Sequence, residues 1–149
     1  MTTPLFRLLL SALILCTAGA TGAVFLHKRA LTQATELVMQ VNAEALASWN
    51  PQPLLDHAAD TLLDKPGAEF YDRYFTTLQR RLGALQQIHN IQFTLELGPP
   101  WQLYRSGSAE YTMQADFANG YANIKISLQR QDNRWRISNY LVLTPLLSS

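Results

Sequence analysis

The chain has almost no cysteine and almost no excess charge. Its one cysteine, Cys16, lies inside an apolar stretch, so no disulfide can form within the chain and no site can be built from several thiolates. The net charge is +1, from 12 Lys and Arg against 11 Asp and Glu, which offers no basic patch to a nucleic acid. We therefore predict neither a disulfide-stapled fold, nor a Cys-based metal site, nor a nucleic-acid partner.

Motifs with catalytic spacing are also missing. Neither His57 nor His89 has a serine, cysteine or carboxylate at a distance along the chain that indicates a triad. Asp56, Asp60 and Asp64 share one face of a predicted helix, but nothing else in the chain supplies a matching set of metal ligands. The sequence therefore predicts no catalytic residue, no metal and no cofactor.

An apolar stretch stands out near the N-terminus. Leu8–Leu26 carries no charge and lies between Arg7 and the basic cluster His27–Arg29. At a rise of about 1.5 Å per residue, a helix of this length just crosses a hydrocarbon core of about 30 Å. One interpretation is a retained transmembrane anchor over residues 8–26. The other is a cleaved signal peptide with a small-residue cleavage site at Ala18–Ala20.

The flanking charges do not decide which way this stretch is oriented, because Arg7 and the amino terminus roughly balance Lys28 and Arg29. A very short tail precedes the stretch and a large part of the chain follows it, which favours export of the larger part. We predict a single-pass protein of a bacterial inner membrane with its folded part on the periplasmic side, or a periplasmic protein released by signal cleavage. Residues 1–29 then form the anchor or signal segment and residues 30–149 the folded domain.

The next part of the sequence has helical periodicity. Ala30–Trp49 places apolar residues at spacings of three and four, which is typical of one buried helical face. Asn50-Pro51 ends this pattern, and a second helix is predicted over Leu54–Asp64. Lys65–Gly67 interrupts the chain again. A third helix is predicted over Ala68–Leu85, with these residues facing inward: Phe70, Tyr74, Leu78, Leu82 and Leu85.

The period then changes from about 3.6 to two. Ile91–Leu97 alternates apolar and polar residues, which indicates a strand with one buried face. Ser108–Leu143 is typical of three further antiparallel strands, joined by two-residue turns at Asn119-Gly120 and Asp132-Asn133. Pairing across these turns gives the sheet one apolar, concave face and one polar, convex face.

This register assigns candidate site residues to each face. On the concave face, we predict a ligand pocket lined by Tyr111, Met113 and Asn139. The convex face combines few charges with one large aromatic residue, which is typical of surfaces that face a partner. The central residues of this predicted interaction face are Gln114, Lys125, Tyr140 and Val142.

Two stretches near the C-terminus carry a family resemblance. The segment FANGYANIKISL at 117–128, followed by DNRWRI at 132–137, places a glycine hairpin before a strand, a turn and a Trp-x-Ile motif. With the preceding helices, residues 30–143 resemble the nuclear transport factor 2-like superfamily, whose cone-shaped fold is shared with ketosteroid isomerase. The resemblance implies an α+β domain in which three helices pack on a curved, four-stranded antiparallel sheet, after the transmembrane or signal helix.

Members of this superfamily include isomerases, dehydratases, carrier-like binders and bitopic subunits of secretion machinery, so the resemblance does not select a function. The few candidate acids and bases disfavour an enzyme, and the apolar stretch and the convex face favour a membrane-anchored interaction or assembly module outside the cytoplasm, without catalytic activity. Its partners would be the membrane, through residues 8–26, and a protein partner or second copy, through the convex face. The alternative is a binder of small apolar ligands, or an isomerase-like enzyme, that uses the cone pocket.

Overall fold

A computed structural model describes residues 4–98 and 106–147, and for residues 4–21, 23 and 97 it describes the backbone alone. The chain divides into a unit of residues 1–32 and a unit of residues 33–149. The fold is α+β, with one open antiparallel sheet in the order β1-β2-β3-β4. In chain order the elements are α1 (Pro4–Ser48), α2 (Gln52–Asp56), α3 (Asp60–Asp64), α4 (Ala68–Leu82), β1 (Leu85–Leu97), β2 (Gly107–Phe117), β3 (Gly120–Gln131), β4 (Arg134–Leu143) and a closing 3₁₀ turn (Pro145–Leu147).

The predicted membrane stretch Leu8–Leu26 falls within α1, and most of its side chains lie outside the described residues. Across the part of the chain that is described, no helix combines the length and the apolar character needed to cross a membrane.

Of the predicted helical stripe, Leu31 is only partly buried, whereas the other five residues are buried, namely Ala34, Val38, Val41, Ala45 and Trp49. Trp49 follows the last helical residue with φ of 52°, in the left-handed region. Its indole ring stacks on Phe117 at 5.4 Å between centroids, and its Nε1 donates to the carbonyl oxygen of Gly83 at 3.0 Å. These contacts hold the end of α1 against the hairpin of β2 and β3 and against the end of α4.

The predicted helix over Leu54–Asp64 is wrong, because the chain forms two short helices there instead. Between them, Ala59 is extended and its N–H donates to the carbonyl oxygen of Ile137 at 2.7 Å. The N–H of Ile137 in turn donates to the carbonyl oxygen of His57 at 2.8 Å. The residues between α2 and α3 thus satisfy backbone groups at the outer edge of β4.

The inward face of α4 also differs from the prediction. Tyr71, Phe75, Leu78 and Leu82 are buried, whereas Phe70 is 41% exposed. The helix ends at Leu82 and not at Leu85, because Gly83 has φ of 75° and leads directly into β1. A Cβ at Gly83 would lie 3.2 Å from the Cβ of Ala118, so both the φ angle and the close approach favour glycine.

The hairpin of β2 and β3 turns at Ala118-Asn119, one residue before the predicted turn, with Phe117 opposite Gly120. Every residue of β2 therefore pairs with the residue of β3 that lies two positions before its predicted partner. Because side chains alternate with a period of two, this shift leaves all of them on their predicted faces. Gly120 serves packing and not the turn, since a Cβ there would come within 3.0 Å of Leu146 Cδ1. The second predicted turn, Asp132-Asn133, is confirmed, with φ of 51° and 62°.

β1 does not have the single buried face that its alternation predicted. Its pairing with β2 is irregular between Leu85 and Gln87 and again between His89 and Gln92. Ile91 is 40% exposed and Phe93 is 52% exposed. This strand lies at one edge of the sheet, where fewer neighbours are available to cover its apolar side chains.

Candidate functional site

An irregularity in β4 decides which residues reach each face of the sheet. Ser127 pairs with Asn139 but Leu128 pairs with Ile137, so Ser138 is an extra residue on β4. Its Oγ donates to the carbonyl oxygen of Ser127 at 3.1 Å. Because side chains alternate with a period of two, one extra residue exchanges the faces of everything that follows it in the strand.

The predicted faces of β4 beyond Ile137 are therefore wrong. Tyr140 and Val142, predicted for the convex face, are buried on the inner face, where the helices pack. Asn139, predicted for the pocket, is exposed on the outer face. The sequence after Ser138 contains one signal of this, since the predicted register placed the amide of Asn139 among apolar side chains, whereas the run YLVL at 140–143 fits either parity.

The other candidate residues lie on the faces that were predicted for them. Tyr111 and Met113 are buried on the inner face, with exposures of 1% and 0%. Gln114 and Lys125 lie on the outer face and are half-buried. The structure therefore keeps Tyr111 and Met113 together but separates Asn139 from them, and it separates Gln114 and Lys125 from Tyr140 and Val142.

A buried amide that the sequence pattern did not single out connects α1 to the inner face. The Oδ1 atom of Asn42 accepts a hydrogen bond from the Tyr140 hydroxyl at 3.0 Å, and its Nδ2 donates to the Met113 sulfur at 2.8 Å. Asn42 is fully buried. The available signal was an asparagine beside Val41 in the helical stripe, since a polar residue at such a position needs a partner inside the protein.

Four tyrosines on this side of the sheet have raised pKa values. Burial is the largest cause for each of them, and it raises the pKa of Tyr71 to about 12. Burial likewise raises the pKa of Tyr74, Tyr111 and Tyr140. The Tyr111 hydroxyl shares a hydrogen bond of 2.8 Å with the hydroxyl of Thr35. These phenols stay protonated at neutral pH, so they serve as hydrogen-bonding groups and not as general bases.

The outer face of the sheet carries a cluster of exposed apolar side chains. Leu141 is 37% exposed, Leu143 is 52% exposed and Tyr121 is 46% exposed. Leu141 and Leu143 are two residues apart on β4, and Leu143 pairs with Asn123, which is two residues from Tyr121 on β3. Residues with these separations are neighbours on one face. We call Tyr121, Leu141 and Leu143 the outer apolar patch.

Charged side chains near the patch are engaged in pairs. Lys125, opposite Leu141, forms an ion pair of 2.9 Å with Glu110. Asp116, opposite Tyr121, lies 2.9 Å from the His89 ring. A partner that covers the patch would therefore meet a lysine that is already paired with a carboxylate, and an unpaired buried charge is the costly case.

A shallow depression of about 330 Å³ lies elsewhere on the same face. Its lining includes the carboxylates of Glu96 and Glu110 and the hydroxyls of Ser127 and Ser138. The outer face thus carries a polar depression with several hydrogen-bond acceptors as well as the apolar patch.

A second depression, of about 270 Å³, is lined by Asp56, Asp60 and Asp132. One carboxylate oxygen of Asp60 accepts a hydrogen bond of 2.7 Å from Gln131 Nε2. Within the described ranges, no three His, Cys, Asp or Glu side chains come together in a way that would hold a metal ion. This acidic depression therefore gives no metal site among those residues.

No family model matches the chain, and neither a curated protein nor a solved structure matches it. The resemblance to the nuclear transport factor 2-like superfamily accordingly stays a prediction, and the function has to be inferred from the geometry of the chain itself.

Proposed function

We propose that the chain is a membrane-anchored interaction module without catalytic activity, whose folded part lies outside the cytoplasm. In this proposal, residues 8–26 hold it in a bacterial inner membrane and its periplasmic part binds a protein partner or a second copy. The binding surface is the outer face of the sheet, centred on the outer apolar patch. This surface replaces the one predicted around Tyr140 and Val142.

The observation that carries the proposal is the outer apolar patch itself. Leu141, Leu143 and Tyr121 lie together on a sheet face where Lys125 forms an ion pair with Glu110 and Asp116 shares a hydrogen bond with His89. Leucine side chains exposed by a third to a half gain free energy when a partner covers them, at about 25 cal/mol per Å² of apolar surface. A half-exposed tyrosine adds a large apolar ring with a polar tip, which is a frequent anchor in protein interfaces.

The anchor part of the proposal rests on the uncharged stretch Leu8–Leu26 and on the basic residues that flank it. Near the end of this stretch, Val24 and Phe25 are 58% and 65% exposed. Such side chains fit contact with lipid better than contact with water. Signal cleavage after Ala20 is the alternative, and it would leave the same outer face available in the periplasm.

The order of elements supports, as a further proposal, a nuclear transport factor 2-like cone. Helices come first, then four antiparallel strands in sequence order, and the helices pack on one face of the sheet. The alternative function, a small apolar ligand in the cone, has weaker support. Asn139 is on the wrong face, and the polar atoms of Tyr111 and Met113 already contact Thr35 and Asn42.

The proposal predicts that a double substitution, Leu141→Lys with Leu143→Lys, abolishes association with the partner. Two lysines would place charges in the centre of the buried surface, where their desolvation is unfavourable. The measurement is the native mass of the full-length chain, expressed at its natural level and extracted from its own membranes in mild detergent. The original chain is expected to carry a protein subunit in fixed ratio, and the double variant to have lost it.

The matched control is Leu63→Lys, since Leu63 is also exposed, at 42%, but lies on α3 and outside the patch. The control should keep the partner, and all variants should keep the thermal midpoint of the original chain within a few degrees. A partner that stays bound to the double variant would contradict the proposal. A chain that runs alone with a small bound mass would support the alternative function.

A further inference from the structure

The two edge strands of the sheet, β1 and β4, differ in whether their outward backbone groups have hydrogen-bond partners among the described residues. At β4, backbone groups that point away from β3 have partners. Ile137 bonds to His57 and Ala59, and the Tyr74 hydroxyl donates to the carbonyl oxygen of Val142 at 2.9 Å and accepts from its N–H at 3.0 Å. These contacts occupy the outward backbone groups of β4 at positions 137 and 142.

The direction of the backbone groups of β1 follows from the pairing across the sheet. In a two-residue hairpin the closing pair is hydrogen-bonded, here Phe117 with Gly120, and bonded pairs then alternate along the ladder. By this alternation, the N–H and C=O of Val142 point away from β3. The observed hydrogen bonds between these two groups and the Tyr74 hydroxyl agree with that direction. On β1 the same alternation directs Gln92, Thr94 and Glu96 toward β2.

The backbone groups of Phe93 and Leu95 therefore point away from the sheet. Among the described residues, none outside β2 bonds to the backbone of β1 between positions 92 and 96. The Phe93 ring stacks on Tyr111 at 5.9 Å between centroids, yet 52% of the residue remains exposed. Within residues 4–98 and 106–147, this edge thus offers hydrogen-bonding groups without a partner together with apolar surface.

Residues 92–97 lack lysine and proline, two of the residue types that usually prevent strand addition at an edge. Residues 92–97 read QFTLEL, with no lysine, arginine or proline and one charge, Glu96. Natural edge strands are commonly protected by lysine, proline, bulges or a covering segment. The two irregularities of β1 lie before this segment, so residues 92–97 are regular and continuous in their pairing with β2.

We propose that the outer edge of β1 over residues 92–97 pairs antiparallel with the same segment of a second copy, so that two sheets join into one. When two copies are related by a two-fold axis, residue i of each copy lies opposite residue j of the other copy. With the axis at Leu95, Glu96 lies opposite Thr94 of the second copy, so the two Glu96 carboxylates are diagonal and not directly opposite each other. Parallel pairing in register would place the two Glu96 carboxylates side by side, which is unfavourable.

This edge is separate from the outer apolar patch, and the proposal goes beyond the proposed function. Edge pairing would extend each sheet in its own plane, while the patch lies on the face of the sheet. Two copies joined along β1 would keep the outer face of each available for a different partner. The two surfaces can be tested with separate substitutions.

The test is Phe93→Pro in the full-length chain. Proline removes the outward N–H at position 93 without touching the bonds from β1 to β2, and proline is tolerated in edge strands in this orientation. Two symmetric hydrogen bonds are lost per dimer, so the dissociation constant should rise roughly 5- to 150-fold. The matched control is Phe93→Val, which also loses the ring but keeps the N–H, and it should dimerise more tightly than the proline variant.

Self-association is measured by sedimentation in mild detergent over a range of protein concentrations, with the circular dichroism spectrum as a check of folding. Amide exchange on the original chain provides a readout that needs no variant: protection at Phe93 and Leu95 should increase with protein concentration. A dissociation constant that is the same in Phe93→Pro and Phe93→Val, or dimers that are lost in Leu141→Lys with Leu143→Lys instead, would overturn the proposal. A chain that stays monomeric with unprotected amides at positions 93 and 95 would overturn it as well.

Discussion

Replacing Trp49 with alanine is expected to lower the free energy of unfolding by about 3–5 kcal/mol, the range for removing a large buried aromatic side chain. The indole is only 9% exposed, stacks on Phe117 and meets Phe75 edge-on at 6.2 Å between centroids. Its loss would also leave the carbonyl oxygen of Gly83 without the Nε1 donor. Denaturant unfolding followed by far-UV circular dichroism measures the change.

The control is Trp49→Gly, and the expected order of the two variants is unusual. Glycine normally destabilises a chain relative to alanine, but position 49 has φ of 52°, where a side chain with a Cβ is strained by roughly 1–2 kcal/mol. We therefore expect Trp49→Gly to be as stable as Trp49→Ala or more so. A glycine variant that is clearly the less stable would show that the backbone at position 49 is not left-handed.

The second large effect is expected at the buried pair of Asn42 and Tyr140. Asn42→Leu should lower the free energy of unfolding by about 1–3 kcal/mol, because the Tyr140 hydroxyl would lose its acceptor in a buried site. The double variant Asn42→Leu with Tyr140→Phe removes both polar groups and should recover part of the loss. A double-mutant cycle from denaturant unfolding measures the coupling between the two positions.

This cycle also tests the face assignment of β4. If Tyr140 were on the outer face, as alternation from the turn predicts, it would be far from Asn42 and the two substitutions would be additive. A coupling free energy near zero would therefore contradict the inserted Ser138 and every face assignment that follows from it.

Local signals in the sequence predicted the type of most elements correctly. The α+β class and the four antiparallel strands are as expected, and Asp132-Asn133 takes the left-handed angles that its residues favour. The buried stripe of α1 from Ala34 to Trp49 follows its helical periodicity. In each case the information lies within a few residues of the element that it describes.

The misplaced features depend on residues far apart in the chain. The break between α2 and α3 lies where Ala58 pairs with Ile137 of β4, and no residue near Ala58 in the sequence indicates this pairing. The extra residue Ser138 is an ordinary serine whose effect appears only through pairing with β3. The predicted interaction face assumed strict alternation of side chains beyond Ser138. Because Ser138 is an extra residue, two of the four residues predicted for that face, Tyr140 and Val142, lie on the inner face instead.

The corrected faces still favour an interaction module, but through different side chains. The inner face is occupied by hydrogen-bonded and aromatic side chains that join the helices to the sheet, for example through Asn42 and Phe75. The outer face presents Leu141 and Leu143 in place of Tyr140 and Val142. Substitutions at Leu141 and Leu143 should therefore weaken association, whereas substitutions at Tyr140 and Val142 should lower the stability of the fold.

The most direct test of this account is thiol labelling of Leu141→Cys and Val142→Cys, each in a chain where Cys16 is replaced by serine. In the isolated, folded chain, the thiol at position 141 should react at least about tenfold faster than the thiol at position 142, which becomes accessible only by local unfolding. In native membranes the thiol at position 141 should become protected by the bound partner. Equal rates at the two positions, or an unprotected thiol at position 141 in native membranes, would contradict the claim that the outer face of β4 is the interaction surface.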